Sequence, residues 1–160
     1  MSVEKLLVQE GIFDSFLEKF VERASKLKVG DPTKDDTNDI APLINDAQVT
    51  KSRDQIEDAL TKGAKLVLGG GINGRFVDPT IFVGITPAMR LYQEENFGQV
   101  VPVIPFKTDE EAIAIANDTE YGLSSGVITK DEYRGLRIAR GLETGMCHIN
   151  CSPVNDEPHA

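Results

Sequence analysis

The order in which this chain changes its hydrophobic period limits its fold more than any other feature. Helical patterns, with apolar residues at three- and four-residue steps, alternate with short β-forming runs. Residues 5–9 read as a strand around Leu6, Leu7 and Val8. Residues 12–28 then give the clearest helix: Ile12, Phe13, Phe16, Leu17, Phe20, Val21, Ala24 and Leu27 recur at three- and four-residue steps, and Gly30-Asp31-Pro32 supplies a stop. A second helix is predicted over residues 46–62, closed by Gly63. Residues 65–68, 80–83 and 100–106 read as strands, and Pro102 and Pro105 predict an edge position or an irregular end for the last of these. In the final third, Thr108-Asp109-Glu110-Glu111 is a capping-box pattern that opens a helix to about residue 117. A strand over 125–129 follows. Thr129-Lys130-Asp131-Glu132 repeats the pattern ahead of a helix to about residue 140, and 146–150 forms a last strand. Parallel neighbours need crossovers, so this alternation predicts an α/β fold with a mostly parallel sheet flanked by helices.

At 160 residues the chain suits one domain, 1–160, and is long enough to bury a core without disulfides or metals. No repeat, low-complexity tract or linker interrupts it. Tryptophan is absent, so aliphatic side chains carry the interior. A formal net charge of -9 repels a polyanion, which argues against nucleic acid as a partner. No basic start followed by a long apolar run marks a signal peptide, and no run has the roughly 18 apolar residues that span a membrane. Two cysteines, Cys147 and Cys151, make no disulfide framework, and a cytoplasmic, reducing compartment is expected.

Three local patterns suggest chemistry. Gly69-Gly70-Gly71-Ile72-Asn73-Gly74 fits the G-x-G-x-x-G dinucleotide fingerprint in letters. The fingerprint works by opening a helix onto a pyrophosphate, yet here Arg75-Phe76-Val77-Asp78-Pro79-Thr80 follows, with β-formers and a proline. A glycine-rich, hairpin-like turn is the expected structure. Cys147, His148, Cys151 and His159 crowd the C-terminus, but strand alternation sends Cys147 and Cys151 to the face opposite His148. Neither a zinc site nor a cysteine–histidine pair is expected from that geometry. Glu94-Glu95-Asn96-Phe97-Gly98 precedes a strand, and its adjacent carboxylates read equally as a solvated loop pair or as a site in which a glycine turn presents Glu95 and Phe97 at a cleft. A carboxylate there accepts hydrogen bonds from sugar hydroxyls, and an aromatic ring packs on a flat heterocycle.

The same segment carries a family resemblance. Glu94-Glu95-Asn96-Phe97-Gly98-Gln99-Val100 resembles the Glu-Glu-x-Phe-Gly-Pro-Val of the aldehyde dehydrogenase superfamily, with Gln99 where proline is usual. In the same order and spacing, similar segments include Lys28-Val29-Gly30-Asp31-Pro32, Gly63-Ala64-Lys65, Asp78-Pro79-Thr80 and residues 116–124. The ending, Cys147-His148-Ile149-Asn150 and then residues 155–160, is most similar to the benzaldehyde and vanillin dehydrogenase branch. The resemblance implies the catalytic-lobe fold and assigns roles by position. Glu95 is the ribose-binding glutamate and Phe97 the phenylalanine near the nicotinamide. Gln48 and Lys51, three apart on one helix face, approach the cofactor, and Ser152, Pro153 and Asn155 line the aldehyde tunnel.

The resemblance also sets expectations about what these residues lack. The family's attacking cysteine falls immediately before Met1 by spacing from Lys5, and its general-base glutamate and cofactor-binding domain fall further upstream. No catalytic residue and no metal ligand is therefore expected within 1–160. The chain alone is expected to be inactive and to bind neither NAD nor NADP tightly, the cofactors of the parent enzyme. Family members pair this lobe's last strand with an arm from a neighbouring subunit and have an oligomerisation strand further downstream. Without that arm, residues 146–150 form an exposed edge, and homo-oligomers are expected. The alternative is an association module that pairs with itself or with a separately encoded cofactor-binding half.

Overall fold

The structure, a computed structural model, describes residues 3–151. The backbone gathers into two compact units, the first ending at Phe106 and the second starting at Lys107.

The first unit begins with β1 (Leu6–Gln9), which passes through a 3-10 turn at Glu10–Ile12 into α1 (Phe13–Ala24). Next come α2 (Asp46–Thr61), β2 (Lys65–Leu68), the short strands β3 (Ile72–Asn73) and β4 (Phe76–Val77), and β5 (Thr80–Val83). A single helical turn, α3 (Arg90–Gln93), precedes β6 (Val100–Phe106). Four strands form one sheet in the order β1-β6-β5-β2, with β1 and β5 parallel to β6 and β2 antiparallel to β5. Val8, Ala24, Ile81 and Val103 are buried together at its centre, and the apolar stripe of α1 packs against them. Phe16 and Phe20 stack along that stripe, ring centres 5.7 Å apart. Ile81 and Phe82 point to opposite faces of β5, and both are almost fully buried, so the sheet is covered on both sides.

Two sequence expectations need correction here. First, α1 ends at Ala24, four residues short of the predicted end. Lys26 and Leu27 bond three residues back, to the carbonyls of Arg23 and Ala24, so the winding tightens, and Val29 then pairs with Ile40 as extended chain. Second, β6 lies in the interior of its sheet despite two prolines. The register explains the tolerance. Successive residues of a strand bond to opposite sides, so prolines three apart aim their missing N–H groups at opposite neighbours. The β1 ladder starts at Val103, beyond Pro102, and the β5 ladder stops at Val103, before Pro105. Each proline thus lies beyond the reach of one neighbour and has room to face it without losing a rung.

α2 follows its sequence signals closely. The Asn45 side chain accepts from the Gln48 N–H at 2.9 Å as N-cap, and Gly63 takes φ of 90° at the exit. The glycine-rich run leads into the antiparallel β3–β4 hairpin, turning at Gly74 with φ of 58°.

The second unit comprises α4 (Asp109–Asn117), β7 (Ser124–Val127), α5 (Glu132–Gly141) and β8 (Met146–Ile149). β7 and β8 pair in parallel, and α5 packs on both. Thr108 caps α4 as predicted, accepting from the Glu111 N–H at 3.2 Å. The cap of α5 differs from prediction: Asp131 accepts from the Arg134 N–H at 3.0 Å, whereas Thr129 closes a turn with the Asp131 N–H. Arg134 forks onto Asp109, which ties the N-terminal turns of α4 and α5 together and holds the Asp109 carboxyl below its ordinary value. Asn117 donates to the Gly141 carbonyl and accepts from the Glu143 N–H, tying the other ends.

Candidate functional site

One buried face of α2 and the loop between α3 and β6 build the candidate site. Both belong to the first unit. α2 buries Val49, Ile56 and Ala59, and with them the polar Ser52 and Gln55, both fully inaccessible. Polar groups placed there need partners, because burial without a hydrogen bond is costly. Gln55 Nε2 lies 3.4 Å from both Glu94 Oε2 and the Glu95 carbonyl, so helix and loop meet through it.

The two adjacent glutamates have different environments. Glu94 is a strut: Arg90 Nε sits 2.7 Å from its Oε1, and Arg90 Nη1 lies 3.3 Å from Asp54 Oδ2 on α2. Asp58, also on α2, accepts the Arg90 backbone N–H at 2.8 Å and pairs with Lys62. Glu95, half-buried, makes no side-chain hydrogen bond or ion pair among the described residues. Its neighbour Glu94 ties the same loop to α2 through Arg90. Phe97, two residues beyond Glu95, is 60% exposed.

Phe97 and Gln48 line one open cleft of about 550 Å³ together with Gln99 and residues 39–44. Two polar atoms at this cleft are buried without partners among the described residues: Gln48 Nε2, a donor, and Gln99 Oε1, an acceptor. Lys51 and Glu95 both bear on Glu4, which joins them to the same neighbourhood. Burial is the main influence on Glu4 and pushes its carboxyl above the ordinary value. The Asn96 N–H, 2.5 Å from Glu4 Oε2, and the charge of Lys51 pull it down, whereas the charge of Glu95 pushes it up. The four residues read from the sequence, Gln48, Lys51, Glu95 and Phe97, therefore fall in one region of the first unit. Ser152, Pro153 and Asn155 lie outside the described residues.

Sequence reading missed Glu4, Ser52, Gln55 and Asn96. A signal existed for two of them. Ser52 and Gln55 interrupt the apolar face of α2 at its own helical spacing, and a polar residue there marks a buried contact. Glu4 and Asn96 are 92 positions apart, and no local pattern joins them.

Cys151 and His148 depart from expectation. β8 ends at Ile149, and Asn150 takes φ of 56°, so strand alternation stops before Cys151. Its Sγ then lies 3.7 Å from His148 Nδ1. His148 Nε2 has no partner among the described residues, so no third group orients the imidazole as a base. A second open cleft, about 440 Å³, lies between Val29–Gly30 and the β3–β4 hairpin. The glycine run beside it opens no helix, so it offers no N-terminus to a pyrophosphate.

Comparison with known proteins agrees with this architecture. Residues 1–160 match the aldehyde dehydrogenase family. A benzaldehyde dehydrogenase of Bacillus subtilis is 43% identical over 159 residues, 99% of this chain and 33% of the relative. A vanillin dehydrogenase of Pseudomonas fluorescens is 38% identical over 157 residues, 98% of this chain and 32% of the relative. The crystal structure of a salicylaldehyde dehydrogenase from Pseudomonas putida G7, complexed with salicylaldehyde, superposes with a TM-score of 0.90 at 42% identity, covering 98% of this chain and 32% of that one. This chain belongs to the aldehyde dehydrogenase family, with aromatic-aldehyde dehydrogenases among its near relatives. It spans about a third of the length of the relatives it matches.

Proposed function

We propose that these residues form the nicotinamide-side wall of an aldehyde dehydrogenase site whose parent enzyme oxidises an aromatic aldehyde to a carboxylic acid with NAD or NADP. The observation that carries this reading is the contrast between Glu94, held by Arg90, and Glu95, whose carboxylate is unengaged among the described residues on the same loop. A ribose supplies hydroxyl donors that suit a free carboxylate, and a nicotinamide supplies a flat ring that suits the exposed face of Phe97. Gln48, with an unpartnered donor, and the cationic Lys51 add polar groups suited to the same nucleotide. The residues present thus fit a dinucleotide's nicotinamide end. When bound, that cofactor accepts a hydride. The protein groups named here hold and orient it; none of them transfers a proton or attacks the substrate. Ser152, Pro153 and Asn155 are proposed as aldehyde-tunnel residues on the resemblance alone.

The 160 residues by themselves are proposed to be inactive and to bind the cofactor weakly, as one lobe of a site that takes further groups from the rest of the parent enzyme. The test is complementation. The chain is mixed with an upstream polypeptide of the parent type that carries the cysteine, and reduced nicotinamide is followed by absorbance with benzaldehyde as substrate. Activity is expected only in the mixture, and E95Q should raise KM for the cofactor with a smaller change in kcat. An E95Q mixture with unchanged cofactor KM would remove Glu95 from the proposed role.

A second reading, an association module that pairs with itself or with a separate half, has its own support. In the second unit β8 pairs only with β7 among the described residues, and Ile128 and Tyr133 are each 80% exposed. Complementation without catalysis, seen as a stable complex with no turnover, favours this reading.

A further inference from the structure

The loop that carries Glu95 and Phe97 is only lightly packed around Phe97, so something other than burial of the ring must hold it. Three hydrogen-bonding groups of one residue in it are engaged. The Asn96 N–H donates to Glu4 Oε2 at 2.5 Å, its Oδ1 accepts from the Gly98 N–H at 2.6 Å, and its Nδ2 donates to the Val100 carbonyl at 3.3 Å. Asn96 is only 3% exposed. It therefore bridges from one end of the turn to the first residue of β6, with Phe97 spanned in between. Gly98 leaves room for this bridge: a Cβ there would lie 2.8 Å from both Asn96 Oδ1 and Ser52 Oγ.

We propose that Asn96 is the positioning residue of the cofactor-facing loop, its side chain fixing a turn that Gln99 leaves flexible. A proline at position 99 would restrict φ by its ring. Gln99 does not, and the Asn96 bridge supplies the constraint by hydrogen bonds instead. Gln99 gives its carbonyl to the Thr80 N–H at 2.8 Å, which a proline keeps, and its buried Oε1 has no partner to lose. The turn itself is a finding of geometry. Its purpose, to aim Glu95 and Phe97, rests on the function proposed above.

The test separates the two. Amide hydrogen exchange and backbone relaxation by NMR are measured on the full 160-residue chain as wild type, N96A, N96D and N96A/Q99P. N96A should speed exchange at the Gly98 amide by about fivefold or more, the equivalent of one hydrogen bond, and leave the Val103 amide unchanged. N96D keeps the acceptor for Gly98 but loses the donor to the Val100 carbonyl, so it should free that amide less than N96A does, which keeps the comparison usable where N96A folds poorly. Q99P should return the N96A loop to wild-type relaxation. An unchanged Gly98 amide in N96A, a Gly98 amide in N96D freed as far as in N96A, or no rescue by Q99P, overturns the bridge. In the complemented enzyme, N96A should raise cofactor KM several-fold with kcat nearly kept, and Q99P should reverse that. Altered loop dynamics with an unchanged KM would leave the bridge standing and contradict the cofactor-facing role.

Discussion

Glu4 carries a cost that its partners only partly offset. Burial disfavours its charged form, Glu95 adds repulsion, and the Asn96 N–H and Lys51 act in the opposite sense. The net effect raises its carboxyl above the usual 4.5. The folded state therefore holds the proton more tightly than the unfolded chain does. The stability from this group is complete below about 4.5 and is lost as pH rises through the raised value. E4Q removes the charge and keeps an acceptor for the Asn96 N–H. In urea unfolding across a pH series, E4Q should gain on wild type as pH climbs from below 4.5 towards neutrality. A difference that does not change with pH would contradict the role given to Glu4. Asp109 has the opposite sign. Its carboxyl is held down by Arg134, so its share of stability is present above the usual 3.8 and is lost as pH falls through the depressed value.

The elements show what a sequence can and cannot reveal. β1, α2, β2, β5 and α4 appear close to where the periods and caps put them, because those signals act within a turn or between adjacent positions. The interior place of β6 was hidden, since proline's cost depends on which neighbour faces it, and that is decided by register with β1 and β5. The early end of α1 depends on the pairing of Val29 with Ile40 across a loop. In the site, Glu95 and Phe97 could be read from their motif and Gln48 and Lys51 from helical spacing, whereas the Glu4–Asn96 contact joins the ends of a 92-residue separation. The α5 cap shows a local ambiguity: Thr129 and Asp131 are both capping residue types, and the structure uses Asp131. D131A should cost about 1 kcal/mol in urea unfolding, more than T129A does. A larger loss in T129A would place the cap at Thr129 after all.

At the scale of the molecule, both units expose apolar side chains among the described residues. Leu123, Ile128, Tyr133 and Leu136 lie exposed in the second unit, and β8 has an edge unpaired among the described residues. The account predicts a dimer or larger species by light scattering at high concentration, with I128K shifting it towards monomer. Monomer throughout the concentration range would remove the association surface. The described residues include no helix long and apolar enough to cross a membrane. Cys147 is half-buried on β8, and Cys151 lies beside His148, whose Nε2 has no partner among the described residues. The most direct measurement is turnover of benzaldehyde with NAD or NADP by the purified chain, cleared of other dehydrogenases. No reduced nicotinamide should form, in wild type or in C151A. Sustained turnover that C147A or C151A abolishes would contradict the account and place the attacking sulfur within these residues.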